Sequence, residues 1–184
     1  VVEDFEEVEA SFLEKVYQRY HHISWTIAET EHCVIRELTL ADIDSLFALY
    51  EDMELTKYIE DLQEYDQEVE HQRAYIDHMY RYFGYGLWLV FYKDTGELIG
   101  RAGLEHRQVS WHPVCGEKFG EYITDHRTKK DTQESIDSEM VVELGYLIKA
   151  KYQRQGLATE VCQAILQYAQ EELGIEEVNC FIEE

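Results

Sequence analysis

Hydrophobic and polar positions follow two different periods along this chain, and each change of period marks an element. Phe5, Val8, Phe12, Val16 and Tyr20 recur at steps of three and four residues. That is the stripe of an amphipathic helix over residues 4–20, with acidic residues in its first turns as the helix dipole favours. Residues 21–32 lack a period and read as a connector. A short strand is predicted over 33–37. Thr39 then stands as an N-cap before a helix over 40–50 with Ile43, Leu46, Phe47 and Tyr50 on its apolar side. A second helical pattern covers 66–82, using Val69, Ala74, Ile76, Met79 and Phe83. Gly84 and Gly86 break it and the period turns to strand. The apolar run 87–92, the turn Asp94-Thr95-Gly96-Glu97 and a returning strand over 98–104 predict a hairpin. Residues 105–139 read as a long excursion, with a short strand over 119–123 and a polar run over 125–138. A strand over 140–148, a long helix over 157–173 and a last strand over 178–182 complete the pattern.

Strands in this order are joined both by hairpins and through a helix. The expected fold is therefore α/β, a mixed, mostly antiparallel central sheet flanked by helices. With 184 residues, no internal repeat and no shift of composition, one domain over 33–184 is expected, preceded by a helical extension over 1–32. Hydrophobic residues make up 45% of the chain, enough for a packed core. The charge narrows the partners: 16 Lys and Arg against 39 Asp and Glu give −23. A polyanion repels phosphate backbones and anionic lipid, so nucleic acid and membrane are not expected as partners and cationic amines or basic peptides are. No apolar run approaches the roughly 20 residues of a membrane span, and no secretory pattern is present. Cys33, Cys115, Cys162 and Cys180 show no CxxC spacing, as in a reduced, cytoplasmic protein.

One segment carries chemistry. From Leu144 to Thr159 a strand ends, a polar turn with Gly156 follows and a long helix begins. A helix N-terminus presents N–H groups and partial positive charge, a ready anion site, and glycine lets a ligand approach closely. Lys149, Lys151 and Arg154 cluster there, while residues 155–184 hold no Lys or Arg. An anionic ligand accounts for that cluster most simply. Other residues carry less. His21-His22 read as surface. His71 and His78 lack a third ligand of suitable spacing, so no metal is expected. Trp111-His112 either lines a substrate pocket or anchors the excursion, and Cys162 reads as a buried small hydrophobe rather than a nucleophile.

Gln153-Arg154-Gln155-Gly156-Leu157-Ala158 matches the Q/R-x-x-G-x-G/A signature of the GNAT N-acetyltransferases, and the chain resembles that family. Glu143-Leu144-Gly145-Tyr146-Leu147-Ile148 before it, Thr159-Glu160 after it, and Val34-Ile35-Arg36-Glu37-Leu38-Thr39 with Asp42 are similar to the RimJ/RimL-like branch, which includes ribosomal-protein N-terminal acetyltransferases. The resemblance spans 33–184 in element order. It implies acetyl-CoA as co-substrate, with no metal. The diphosphate would be held by backbone N–H groups in Gln153, Arg154, Gln155, Gly156, Leu157, Ala158 and Thr159. The pantetheine arm would pair with backbone groups of Leu147 and Ile148 as another strand would. The acceptor would be a primary amine: a protein N-terminus, a polyamine or an aminoglycoside-like compound. Such transfer needs a neutral amine, so a base acting through a water is useful. Glu143 is the candidate, in an apolar row with Val141, Gly145 and Leu147. The alternative places it at a sheet margin, solvated or paired with an arginine.

The family continues beyond the 178–182 strand with a helix, two more strands and a Tyr proton donor. Against that pattern the domain is expected to be C-terminally incomplete, with its general acid beyond Glu184. An open edge at 178–182 invites a homodimer. Two other function classes stay open at this point: a non-catalytic acyl-CoA-binding or regulatory domain, and a structural interaction module in which the cationic helix start pairs with acidic surface nearby.

Overall fold

The computed structural model describes residues 10–52, 61–110 and 138–181. Phe5, Val8, Trp111-His112, Cys115, the 119–123 strand, nearly all of the 125–138 run and Ile182 lie outside the described residues. The chain order is α1 (Ala10–Tyr20), β1 (Thr26–Glu29), β2 (Cys33–Arg36), a 3-10 turn (Leu40–Asp42), α2 (Ile43–Tyr50), α3 (Tyr65–Tyr75) continuing in wider π turns (Ile76–Phe83), β3 (Leu87–Tyr92), β4 (Leu98–Ser110), β5 (Ser138–Ile148), a second 3-10 turn (Ala150–Tyr152) and α4 (Leu157–Glu171). The strands lie in sequence order in one sheet, and every ladder is antiparallel. Among the described residues the parallel contribution is a single bridge, Glu143 to Asn179.

Local chemistry explains the entry to α2. Asp42 Oδ2 accepts the Thr39 N–H at 2.9 Å and the Thr39 hydroxyl at 2.8 Å, closing the capping turn. The Arg36 guanidinium forks onto the same carboxylate at 2.9 and 2.6 Å, tying β2 to the helix start. The core lies on both sides of the sheet. Trp88 meets Tyr168 of α4 edge-on at 5.6 Å, so Trp88 and its ladder partner Ala102 define the α4 face. Arg101, the next residue of β4, points the other way, donating to Tyr50 Oη of α2 at 3.1 Å. The two faces are thus assigned by alternation. A Cβ at Gly103 would fall 2.0 Å from the Gly86 carbonyl oxygen, so only glycine fits that crossing.

Four expectations change. The 21–32 connector contains β1, which pairs with β2, so the sheet begins at Thr26. The helix over 66–82 changes to π turns at Ile76. β4 runs on to Ser110 and β5 starts at Ser138, so the excursion is shorter than 105–139. Over residues 178–181, the described part of the expected 178–182 strand, one bridge stands in place of a ladder. No helix among the described residues is long and apolar enough to cross a membrane.

Candidate active site

The outer edge of β5 sets the geometry. The Asn179 N–H donates to the Val142 carbonyl and the Leu144 N–H to the Asn179 carbonyl, both at 2.8 Å. Beyond that bridge, β5 has no strand partner on this side among the described residues. Backbone groups alternate sides along a strand. Those of Val142 and Leu144 point outward, so those of Tyr146 and Ile148 do as well, whereas Leu147 turns its backbone toward its β4 partner Arg101. This corrects one expectation: the open edge belongs to Tyr146 and Ile148, and Leu147 does not share it. Gln153 Nε2 donates to the Ile148 carbonyl at 2.8 Å, which leaves the Ile148 N–H as the outward group.

The turn after β5 is shaped by two left-handed residues, Arg154 (φ 59°) and Gly156 (φ 85°). Successive N–H groups in such a turn converge on a concavity suited to an anion. α4 follows at once. The Glu160 N–H donates to the Gly156 carbonyl at 3.0 Å as the first helical bond, so the N–H groups of Leu157, Ala158 and Thr159 precede the ladder. A Cβ built at Gly156 would meet nothing within 4 Å, so the space before these groups is open. Glu160 fixes the helix start to the β1–β2 turn, accepting from the His32 N–H at 2.8 Å and pairing with the His32 ring at 2.9 Å. Burial alone would raise its carboxyl, but the bonds from Thr30 and His32 outweigh it and lower it.

The cationic cluster is partly neutralised within the chain. Glu97, in the β3–β4 turn, pairs with Lys149 at 3.1 Å and Lys151 at 3.6 Å and accepts the Tyr152 hydroxyl at 2.8 Å. The Tyr152 hydrogen bond, then the Lys149 bond, hold Glu97 below the usual carboxylate range. Gln153, Arg154, Gln155 and Gly156 are exposed.

Glu143 lies on the α2/α3 face, directly across the ladder from Glu105, while Gly145 lies across from Gly103. Its Oε1 accepts from Arg107 Nη1 at 2.5 Å, and the same guanidinium stands 4.4 Å over the Phe181 ring. Glu143 is therefore paired with an arginine, in a half-buried setting that also faces a second carboxylate. Burial pushes its carboxyl up; Arg107 opposes that and Glu105 adds to it. Glu105 accepts from Tyr75 Oη at 3.0 Å, and that oxygen accepts the Leu87 N–H at 2.7 Å. Arg107, Glu105, Tyr75 and Glu97 were not singled out from the sequence. The alternation Arg101, Gly103, Glu105, Arg107 was the available signal. Cys162 is half-buried and burial pushes its thiol up to about 11, which keeps it protonated at neutral pH. His71 lies against Glu68 at 3.4 Å and His78 stacks on Tyr82.

These features can be set beside known proteins. An "Uncharacterized N-acetyltransferase YoaA" of Bacillus subtilis (strain 168) is 23% identical over 158 residues, 85% of this chain and 73% of that protein. Among solved structures, a putative GnaT-family acetyltransferase from Bordetella pertussis superposes with a TM-score of 0.57 at 19% identity, covering 83% of this chain and 76% of that one. RimL, a ribosomal L7/L12 alpha-N-protein acetyltransferase, gives 0.59 at 13% identity over 87% and 72%. A RimL structure in complex with coenzyme A gives 0.54 at 13% identity over 85% and 73%. At these identities the structures speak for the fold. The acetyltransferase (GNAT) domain model matches residues 32–184, which takes in all five strands but β1, the glycine turn and α4, and on that match the chain belongs to the GNAT acetyltransferase family.

Proposed function

We propose that this chain moves an acetyl group from acetyl-CoA to a primary amine on a cationic acceptor, such as a protein N-terminus, a polyamine or an aminoglycoside-like compound, in the cytoplasm. The observation that carries the reading is the continuity of one surface. The open edge at Tyr146 and Ile148 leads directly into the Arg154–Gly156 turn and the first N–H groups of α4. An extended amide-bearing arm needs the former and a diphosphate the latter.

Acetyl-CoA supplies a thioester carbonyl open to attack by an amine. As the C–N bond forms the C–S bond breaks, and coenzyme A leaves as a thiolate that takes up the proton shed by the attacking amine. The chain's own residues bind and orient the two reactants. Backbone groups of Tyr146 and Ile148 bind the arm, and the N–H groups over 155–159 hold the diphosphate beside Arg154. Glu143 takes the proton of the acceptor ammonium through a water, its basicity raised by burial and moderated by Arg107. Glu105 and the net charge of −23 favour a cationic acceptor over a neutral one. Cys33, Cys162 and Cys180 are free thiols, in keeping with a reducing compartment.

The test is thiol release from acetyl-CoA over a panel of basic peptides, polyamines and aminoglycosides. Release with at least one cationic amine and none with a neutral alcohol is expected. Tight coenzyme A binding with no acetylation of any amine would replace this reading by that of a binding or regulatory domain.

A further inference from the structure

Helix α1 lies on the domain with its polar side. Lys15 Nζ donates to Tyr168 Oη at 2.6 Å and stands over the Trp25 and Tyr168 rings at 5.7 and 5.3 Å. One turn later Arg19 Nε donates to Glu37 Oε1 at 3.0 Å, with a closer contact from its Nη2. The apolar stripe therefore points outward. Leu13, Tyr17 and Tyr20 face away from Lys15 and Arg19 and are 56, 59 and 76% exposed, Val16 beside them is 50% exposed, and no residue of α1 is buried.

The helix cannot roll over to bury this stripe. Glu37 is only 3% exposed, and a buried carboxylate without its partner costs several kcal/mol. The Arg19 pair thus fixes the orientation, and no described residue packs over the face left outside. Its size bears on what can cover it. Leu13, Val16, Tyr17 and Tyr20 present on the order of 500 Å², so two copies would cover about 1,000 Å² between them, the least that a specific protein interface buries. A lipid surface is disfavoured, because a chain of charge −23 is repelled by anionic headgroups.

We infer that α1 forms the centre of a twofold interface between two copies of this chain. The face is self-complementary, as an isologous interface requires. An antiparallel pairing about an axis near Tyr17 sets Tyr20 of one copy against Leu13 of the other. Glu14 and His21 lie on the same flank, seven residues apart, so the same operation sets a carboxylate beside an imidazole rather than beside a like charge.

Sedimentation velocity of the full chain over a concentration series tests this. The wild type should sediment as a dimer. The double variant Leu13→Glu/Tyr17→Glu should be monomeric, with a melting temperature close to that of the monomeric wild type at high dilution, since neither side chain packs into the domain. Tyr17→Cys provides a second readout that keeps the fold: mild oxidation should give a disulfide-linked dimer through position 17, identified by peptide mapping. A wild type that stays monomeric at its highest soluble concentration would overturn the inference. So would a dimer that survives both glutamates, or a Tyr17→Cys chain that does not cross-link at that position.

Discussion

Gly156 offers a perturbation whose two consequences separate cleanly. Its φ of 85° is one that side-chain-bearing residues adopt at a cost of roughly 1–2 kcal/mol. Nothing lies within 4 Å of a Cβ built there, so Gly156→Ala adds no clash. For a chain of this size that cost lowers the melting temperature by roughly 2–8 °C. Gly156→Trp carries the same backbone cost, because its Cβ occupies the same place. Its indole, however, fills the space before the N–H groups of Leu157, Ala158 and Thr159. A hydrogen bond to a charged group is worth about 1.5–3 kcal/mol, so losing two of them weakens binding by about 3–6 kcal/mol, or 10²–10⁴ in Kd. Calorimetric titration with coenzyme A, beside thermal melts of both variants, reads the two effects independently. The expected pattern is similar melts, a modest loss of affinity for Ala and near-abolition for Trp. A folded Gly156→Trp that binds coenzyme A within about threefold of wild type, less than 1 kcal/mol, would refute the reasoning.

Three further outcomes follow from particular contacts. Glu143→Gln should lower kcat by about 10²–10⁴ and leave the KM for acetyl-CoA nearly unchanged. Because burial raises the Glu143 carboxyl, wild-type activity should fall as pH drops through that raised value, and the variant should lack this limb; an unaltered profile would remove Glu143 from the chemistry. Arg19→Met strands Glu37 and should cost about 3–5 kcal/mol at neutral pH. Glu37 is raised by burial even with Arg19 beside it, so its ionised form opposes folding above that value. The deficit should therefore shrink as pH falls through it, measured by urea melts at several pH values. Deleting residues 1–32 removes β1 as well as Arg19, and should lower both melting temperature and solubility; equal melts would show that β1 is dispensable.

The parts of the fold that were legible in the sequence are those in which burial dominates. The β3–β4 hairpin announced itself through its apolar run and its turn residues, and α4 through a stripe that buries Leu157, Val161, Ile165 and Tyr168. β1 was not legible: in four residues only Ile27 is buried, too little to make a period. The far half of β4 was hidden for a chemical reason. Glu105 and Arg107 sit there because Tyr75 and Glu143 receive them, and a strand built on polar pairs carries no hydrophobic alternation. The glycine turn could be read because Gly156 and the helix behind it are local. The partner of its lysines could not, since Glu97 comes from another hairpin. The stripe of α1 was plain, but which side would dock was decided by Tyr168 and Glu37, far along the chain or across the sheet.

The central claim is that one continuous surface, from the open edge of β5 to the first turn of α4, receives acetyl-CoA. Amide hydrogen exchange with and without saturating acetyl-CoA, read residue by residue by NMR, tests it most directly. The account predicts new protection of the Tyr146 and Ile148 N–H groups and of residues 155–159, with the Leu147 amide unchanged because it already faces β4. Protection that appears elsewhere, or at Leu147 in place of Tyr146 and Ile148, would contradict it.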